Sequence, residues 1–469
     1  MKRTLIRDLS VNAIQLIVNQ LFGLGIFYVL STGLDKSSFG HINLVLAILM
    51  AAFNILSLGV DQLVVKRIAG GTDASALLSI YLLHVLITGI VFYVILFIGY
   101  YFFPVNQTYN ILLLIGIGKL MIFFSTPFKQ VANGMERFKL LAYMSVGSNI
   151  VRCLGLIILA LYHQLNLFTI ILIFIGGDVI EFLACIILFK NAAKVAVKIR
   201  WNRTAYSGLL RESLPQTGIV LITSALARFD WIFIGFMVSA IKLAEYSFAY
   251  KVFEIATLPL LAIAPLLIPR FTKLFQQTDL KINNLNLLVR LEMIIAAFIA
   301  LLLNMCWSPV IDGVTSGKYG LINIRTIFIL SLCMPFLYLN NFLWTVYFAQ
   351  GRLKMILTSF IITFLVNVIF DILLIPFFRN EGAAFAFLLS CVVKTIYYLK
   401  QNSFRELTHL WQPLVFCTLC ALTAGSAAKM LFSNIGLVIT ASVLLYVLLL
   451  FFFGQIKLSD RHRLAQLFR

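Results

Sequence analysis

The chain alternates between long apolar runs and short polar connections. A membrane-spanning helix needs about 20 mostly apolar residues, and about fourteen runs of that kind stand in the sequence. They lie near residues 11–32, 39–66, 76–103, 107–128, 138–162, 166–190, 214–238, 245–269, 286–309, 322–349, 355–377, 382–400, 411–431 and 435–454. This pattern predicts an all-α polytopic membrane protein with about fourteen transmembrane helices.

The composition agrees with a chain dissolved in lipid. Of the 469 residues, 61% are hydrophobic and 12% are charged, and the mean hydropathy is +1.00. Soluble domains are about half apolar and about a quarter charged, so a soluble core of this size has no room for so many apolar side chains. The composition therefore excludes a soluble globular protein.

The basic residues that give the net charge of +19 lie in the short connections between the spans and do not form a continuous stripe. Every second connection is basic, and the alternate connections hold only Lys36, Lys242, Lys318 and Arg379. The basic set includes Lys66 and Arg67, Lys129 with Arg137 and Lys139, and the run from Lys190 to Arg211. The positive-inside rule places that set in the cytoplasm together with both termini. This arrangement also argues against a nucleic-acid partner, which would require a basic patch interleaved with aromatic residues.

The two halves of the chain repeat each other in outline. NGMERFKLLAYM precedes one span and AQGRLKMILTSF precedes another, and in this register Arg152 falls opposite Asn367. The predicted domains are residues 1–190 with spans 1–6, a basic cytoplasmic linker at 191–213, residues 214–400 with spans 7–12, and residues 401–469 with two further spans and a basic tail. Two six-helix lobes with a parallel pseudo-repeat are typical of a transporter with a central cleft, here with two added C-terminal helices.

Several stretches together carry a family signature across most of residues 5 to 400. They are LSTGLDKSSFGHINLVLAI, LSLGVDQLVVKRIA, NGMERFKLLAYM, SLPQTGIVLITSALARFDWIFIGFMVS, AEYSFAYKVFEI and NVIFDILLIPFFRNEGAAFAFLLS. On these stretches the chain resembles the Wzx-type flippases of O-antigen and exopolysaccharide, in the superfamily that also holds multidrug extruders and the lipid II flippase. The resemblance implies a V-shaped fold in a bacterial inner membrane. It also implies an ion-coupled carrier of an undecaprenyl-diphosphate-linked oligosaccharide, acting beside membrane lipids and other polysaccharide-assembly proteins.

Charged residues inside the spans are the candidate site. Arg and Lys can replace the water that a diphosphate loses in the membrane, so a cationic cleft suits such a cargo. Arg152 and Arg228 are the first predicted substrate-binding residues, and Lys119, Lys394 and Lys251 follow. Arg228 and Asp230 lie about 200° apart around a helix, so we expect Arg228 to face the cleft and Asp230 to pack inside its lobe.

Buried acids leave two alternatives open for these charges. Asp178 and Glu181 are three residues apart on one helix face, as a proton- or sodium-coupling site requires, and Asp230 and Glu254 are further coupling candidates. The alternative is a structural one, in which Asp178 and Glu181 pair with Arg152 or Lys119, and Lys251 pairs with Glu254. No metal site and no cofactor other than the coupling ion is expected.

Two other functions compete with a flippase. An exporter of small cationic drugs on the same fold would need an acidic or aromatic cleft, and the near balance of buried charges keeps this alternative open. A membrane-embedded polysaccharide polymerase or ligase would need a sizeable outer loop, but the predicted outer connections are short, the longest being near SPVIDGVTSGKYG. Five scattered histidines and the absence of a DxD motif also indicate that the chain is not an enzyme.

Overall fold

The computed structural model describes residues 2–102, 107–193, 195, 201–260, 271, 283–401 and 410–457. Parts of three predicted segments lie outside these ranges: the end of the eighth span, most of linker residues 194–200, and the tail after residue 457. The described part is helical and contains no strand, which confirms the all-α prediction.

The first nine helices overlap the first eight predicted apolar runs, with two of them in place of the second run and with α1 and α8 starting about ten residues earlier. They are α1 Lys2–Gly33, α2 Lys36–Leu56, α3 Val60–Ala69, α4 Ala74–Tyr100, α5 Gln107–Gly134, α6 Phe138–Leu161, α7 Leu167–Ala193, α8 Arg203–Met237 and α9 Ala240–Ala256. The remaining helices are α10 Asn283–Thr315, α11 Ile324–Ala349, α12 Leu353–Lys400, α13 Trp411–Leu431 and α14 Ile435–Phe452. A short 3-10 turn, Leu321–Asn323, precedes α11.

Ten of the described helices are long and apolar enough to cross a membrane. One of the ten, α12, is 48 residues long and contains a sharp break at Arg379. Ser359 Oγ nevertheless donates a 2.8 Å hydrogen bond to Tyr398 Oη, although 39 residues of straight helix would separate them by about 58 Å. The helix is therefore a hairpin of two antiparallel arms, as the separate predicted spans at 355–377 and 382–400 require. The total of about fourteen spans stays a prediction.

The predicted second span, 39–66, is interrupted. Leu58 and Gly59 have positive φ angles of 47° and 67°, which end α2 and start α3 in a new direction. A Cβ at Gly59 would lie 2.8 Å from the backbone N of Thr217, so the turn requires glycine both for its backbone angle and for the close approach of α8. The apolar residues Val60, Leu63 and Val64 let the run continue across the break, so the charged residues of α3 were taken for the cytoplasmic end of a single span.

The contacts of the chain divide it into two compact units, Met1–Gly235 and Phe236–Arg469. The predicted domains, with a linker at 191–213, stay a prediction, while the division by contacts counts most of the seventh span with the first unit. The reason is that α8 packs on α2, α3 and α4 through polar contacts: Thr217 Oγ1 donates to the Leu58 carbonyl at 2.7 Å, and Asn54 Nδ2 donates to Ser224 Oγ at 2.9 Å. Arg67 also pairs with Glu212, and His84 Nδ1 contacts Tyr206 Oη at 3.0 Å.

Within the first unit, α5 is the central helix and packs against α4, α7, α3 and α2, while α1 packs against α6. Its apolar core contains Val64, Tyr81, Phe128 and Phe189, all nearly or wholly buried. Within the second unit, α11 packs against α10 and α12, and the pair α13 and α14 packs against α10. The two C-terminal helices thus belong to the second unit rather than forming a body of their own.

Candidate functional site: a membrane-embedded charge cluster

Three helices of the first unit bring five charged side chains together. Lys119 and Lys129 come from α5, Arg152 from α6, and Asp178 and Glu181 from α7. We call these five residues the charge cluster. Asp178 and Glu181 share one face of α7 because three residues complete nearly one helical turn, as the sequence predicted.

The cluster is a chain of ion pairs in which each carboxylate serves more than one cation. Lys119 Nζ lies 3.0 Å from Asp178 Oδ1, and Arg152 Nη2 also pairs with Asp178 Oδ1. The same Nη2 lies 3.5 Å from Glu181 Oε2, which connects the two acids. Lys129 Nζ pairs with Glu181 Oε1 at the other end. Arg152 is therefore the link between both halves of the cluster.

Neutral side chains complete the network. Ser148 Oγ donates a hydrogen bond to Glu181 Oε2. Arg152 Nη1 donates to Asn149 Oδ1 at 3.0 Å, and Asn149 Nδ2 in turn donates to Asn19 Oδ1 on α1 at 3.1 Å. These contacts fix the guanidinium from a second side, so α1, α5, α6 and α7 all contribute to its position.

The cluster is deeply buried. Asp178 is fully buried, and Glu181 and Arg152 are each 7% exposed. The isolated transfer of such charges into a low-dielectric interior is very costly, and only close pairing with additional hydrogen bonds offsets that cost. Two polar atoms still have no hydrogen-bond partner among the described residues, namely Arg152 Nε and Asp178 Oδ2. The network thus retains one donor and one acceptor that are not engaged.

Two glycines make room for these side chains. A Cβ at Gly118 would lie 2.5 Å from Asp178 Oδ2, and a Cβ at Gly177 would lie 2.5 Å from Arg152 Cγ. Such distances are far below van der Waals contact, so the charged side chains lie directly against bare backbone. The neighbouring Gly176 has open space at its Cβ, which shows that only one glycine of the pair is required by packing.

The charge balance of the cluster is uneven. Three basic side chains share two carboxylates, so an excess of one positive charge remains when all five groups are ionised. An excess cation in a buried site attracts an anion, and the carboxylates compete with that anion for the same guanidinium and ammonium groups. Chemically, the arrangement can exchange an internal carboxylate for an external anion.

The two predicted site residues of α8, Arg228 and Asp230, also lie in the first unit, and they differ in burial. The Arg228 guanidinium lies 4.3 Å from the centre of the Trp231 ring and is half-buried. Asp230 is buried, and its Oδ1 accepts a 2.9 Å hydrogen bond from the Trp231 backbone N–H. The deeper burial of Asp230 fits the expectation that it packs inside its unit. The substrate-binding role of Arg228 and the coupling role of Asp230 stay predictions.

In the second unit, the predicted residues are not gathered into one cluster. Lys251 Nζ lies 2.7 Å from Glu254 Oε2, which is the pairing expected from their spacing on one helix face. Lys394 Nζ lies 4.2 Å from the centre of the Phe360 ring and 5.8 Å from that of Tyr398, so aromatic faces stabilise this cation. The roles of these three charged residues in binding or coupling stay predictions.

The structure therefore brings together Lys119, Arg152, Asp178 and Glu181, in the paired arrangement that the sequence left open as an alternative to separate binding and coupling sites. Sequence reasoning missed Lys129, because it stands just beyond an apolar run and was assigned to a cytoplasmic connection. Helix α5 continues past it to Gly134, and its side chain reaches Glu181.

Within the described ranges, the structure contains no group of three or more His, Cys, Asp or Glu side chains placed to hold a metal ion. Cys417 and Cys420 are buried thiols on α13 without a disulfide. The charge cluster is accordingly described by its ion pairs alone.

Comparisons with known proteins give a consistent picture of the family and the fold. The family model described as "Polysaccharide biosynthesis protein" matches residues 5–275. No curated protein matches the chain. Among solved structures, one described as the lipid II flippase MurJ in an inward closed conformation is similar, with a TM-score of 0.77 and 15% sequence identity over 98% of this chain and 100% of that chain.

Two further structures share the fold at lower similarity. An inward-facing multidrug resistance MATE family transporter of the MOP superfamily has a TM-score of 0.66 and 13% identity, covering 86% of this chain and 98% of its own. A MOP superfamily transporter from Pyrococcus furiosus has a TM-score of 0.56 and 13% identity, covering 87% of this chain and 96% of its own. At these identities the likeness establishes a common fold.

Proposed function

The chain belongs to the family of polysaccharide biosynthesis proteins, and from that premise we propose that it is a flippase for a lipid-linked oligosaccharide. It moves an undecaprenyl-diphosphate-linked repeat unit, such as that of O-antigen or another surface polysaccharide, from the cytoplasmic to the outer leaflet by alternating access. The protein acts as a carrier and not as an enzyme. The similar structure described as a lipid II flippase supports a lipid-linked cargo, because its described activity is the flipping of a lipid.

The observation that carries this proposal is the excess cation in the charge cluster. A diphosphate headgroup needs basic side chains to replace its lost water, and Arg152 offers a planar guanidinium whose Nε has no acceptor among the described residues. Lys119 and Lys129 add two ammonium groups to the same network. The cargo's phosphates bind these cations in place of Asp178 and Glu181.

Coupling to an ion gradient follows from that exchange. When a proton or a sodium ion binds Asp178 or Glu181, the carboxylate no longer competes for Arg152, and the affinity of the cluster for the diphosphate rises. When the ion leaves, the carboxylate recovers its cation and displaces the cargo. The substrate-binding and coupling residues are thus one network, in which each ligand controls the other.

The other predicted cations extend the same scheme. Arg228, Lys251 and Lys394 contact the cargo at further points along its path, and Asp230 and Glu254 are additional sites for the coupling ion. The protein lies in the bacterial inner membrane with both termini in the cytoplasm, which the distribution of Lys and Arg between alternate connections supports. Membrane lipids surround it, and other polysaccharide-assembly membrane proteins are its expected partners.

The test is transport of a labelled undecaprenyl-diphosphate-linked oligosaccharide by the purified chain in proteoliposomes. Arg152→Gln removes the charge but keeps hydrogen-bonding capacity, and we expect transport to fall about 10- to 100-fold, as the loss of a charge-assisted contact implies. Lys139→Gln is the matched control, because Lys139 is an exposed basic residue in the first turn of α6, the helix that also carries Arg152. Undiminished transport by the Arg152→Gln variant would refute the proposal.

A second candidate function is export of small cationic drugs. It is favoured by the likeness to a multidrug transporter structure and by the two carboxylates in the charge cluster, which attract a cation when Arg152 moves away. The two candidates differ in the sign of the cargo. Efflux of ethidium from intact cells, lost in Asp178→Asn and retained in Arg152→Gln, would favour drug export over the flippase.

A further inference from the structure

A large cavity opens at one end of the second unit. It has a volume of about 1060 Å³ and lies where α10 and α13 end, where α11 and α14 begin, and where the hairpin α12 turns. The charge pattern predicts that this end faces the outside of the cell, because its connections carry few basic residues. We call it the outer cavity.

Three cations line the outer cavity: Arg325, Arg379 and Lys429. Each is an exposed side chain, and none of them forms an ion pair with a carboxylate of the described residues. One acid, Glu381, lines the same cavity, so the lining carries an excess of two positive charges. Unpaired cations that converge on one concave surface form a site complementary to an anion.

The backbone holds one of these cations in an unfavourable conformation. Arg379 has φ 52° and ψ −123°, a region that favours glycine, and it stands at the turn between the two arms of α12. A Cβ at Gly382 would lie 2.5 Å from the Leu374 carbonyl oxygen, so the backbones of the two arms are in close contact at this turn. Strain of this kind concentrates at binding sites, where a side chain is needed at a position that the backbone alone would assign to glycine.

An apolar groove continues from the outer cavity along the helices. This second cavity of about 370 Å³ shares Asn304, Met305, Phe328 and Lys429 with the first. Its other lining residues include Ala297, Leu301, Ala421 and Gly425, which are apolar or small. From Met305 to Ala297 the groove follows α10 for about 12 Å toward the middle of the helices. A cationic mouth with an apolar extension fits an amphiphile better than a soluble anion.

We propose that this surface binds an anionic phospholipid of the outer leaflet. The phosphate of a net negative headgroup contacts Arg325, Arg379 and Lys429, and one acyl chain occupies the groove between α10, α11 and α13. A zwitterionic lipid fits less well, because its own cation meets the excess positive charge of the cavity. This site is separate from the charge cluster of the first unit and does not depend on the proposed flippase activity.

The experiment measures lipid retention by the full-length protein. Purified protein is equilibrated with micelles containing equal amounts of phosphatidylglycerol and phosphatidylcholine with identical chains, and the retained lipids are counted by native mass spectrometry. We expect preferential retention of phosphatidylglycerol. Arg379→Gly should reduce that preference about fivefold, because one basic residue near an anionic lipid contributes about that factor.

Arg379→Gly is the informative variant because it suits the backbone. Glycine relieves the strain at φ 52°, so the unfolding temperature should not fall and a lost lipid preference does not report misfolding. Arg325→Gln tests a second cation of the same cavity, and Lys354→Gln with Lys400→Gln is the matched control at the opposite end of the α12 hairpin. The control should retain phosphatidylglycerol as the wild type does.

Two results would overturn the proposal. In the first, the wild type retains both lipids equally, or the Arg379→Gly and Arg325→Gln variants keep the full preference for phosphatidylglycerol. In the second, glycerol phosphate at millimolar concentration displaces the lipid, which would make the cavity a site for soluble anions. Bound phosphatidylglycerol that is displaced by added phosphatidylglycerol and not by glycerol phosphate supports the proposal.

Discussion

The charge cluster of the first unit and the outer cavity of the second unit each hold three basic side chains, but they use them in opposite ways. In the cluster, Arg152 is buried and Lys119 and Lys129 are half-buried, and the three cations share two buried carboxylates. In the cavity, Arg325, Arg379 and Lys429 are exposed and form no ion pair with described carboxylates. The two regions differ in how far water reaches their basic side chains.

Burial explains why only one of the two regions carries its own counter-charges. A buried cation without a partner costs several kcal/mol, whereas an exposed one keeps most of its hydration. An anion that binds the cluster would therefore displace one of its carboxylates, and the proposed coupling rests on that exchange. The cavity needs no exchange, so it is suited to steady binding. Under the two proposals, the same residue types form an ion-coupled switch in one unit and a lipid-binding surface in the other.

The largest expected effect is that of Arg152→Ala. This change leaves Asp178 and Glu181 without their shared partner, and breaking a buried pair in this way costs about 3–5 kcal/mol. We expect loss of surface glycan in cells and a lower unfolding temperature of the purified protein. Arg152→Lys keeps the charge, so it should recover most of the stability but little of the bidentate binding. Normal glycan and an unchanged unfolding temperature in Arg152→Ala would remove the cluster from the mechanism.

The combined change Asp178→Asn and Glu181→Gln should separate binding from coupling. Both amides preserve shape and remove negative charge, so the cations stay available to an anion at all times. We expect exchange of labelled cargo between leaflets to persist while accumulation driven by a proton or sodium gradient is lost, with a change of at least about tenfold in the gradient-driven rate. Gradient-driven transport at the wild-type rate would identify the two acids as structural partners only.

A smaller effect is expected at the glycine that touches the cluster. Gly177→Ala places a Cβ 2.5 Å from Arg152 Cγ, and overpacking of this kind costs about 1–3 kcal/mol. The matched control is Gly176→Ala, because that Cβ meets open space. Thermal unfolding of the two variants measures the difference. Equal unfolding temperatures would mean that Arg152 does not lie against α7 as described.

The smallest effect is expected in the outer cavity, and its sign is opposite. Arg379→Gly removes a cation that has no carboxylate partner and relieves a strained backbone, so stability should be unchanged or should rise by about 1 kcal/mol. Denaturation of this variant next to Arg152→Ala makes the comparison direct. A loss of stability in both variants would show that the two regions do not differ in the way described.

The sequence predicted the helices better than it predicted their breaks. Runs of apolar residues locate a helix in a membrane protein reliably, because an unpaired backbone cannot exist in lipid. The turn at Leu58 and Gly59 was not predicted, because the charged residues of α3 were taken for the cytoplasmic end of one continuous span. The separate arms of α12 were recognised from the polar residues around Arg379. The assignment of α8 to the first unit depends on contacts such as Thr217 with Leu58, which no local pattern reveals.

The candidate site was predicted directly where it depends on one helix, and only as one of two alternatives where it depends on the packing of two helices. The shared face of Asp178 and Glu181, and the pairing of Lys251 with Glu254, follow from a spacing of three residues. The pairing of Lys119 with Asp178 joins positions 59 residues apart in the chain, and its geometry is set by the packing of α5 on α7. Lys129 was not predicted as a site residue because its pairing with Glu181 also depends on the packing of α5 on α7.

The most direct test of the central claim is the affinity of the purified protein for an undecaprenyl-diphosphate-linked oligosaccharide as pH and sodium concentration are varied. If the coupling ion binds at Asp178 or Glu181 as proposed, it frees Arg152 for the cargo, and the affinity of the wild type should rise as pH falls or as sodium increases. The variant with Asp178→Asn and Glu181→Gln should bind with an affinity that neither condition changes. A wild-type affinity that is indifferent to both pH and sodium would contradict the claim that cargo and carboxylates compete for the same cations.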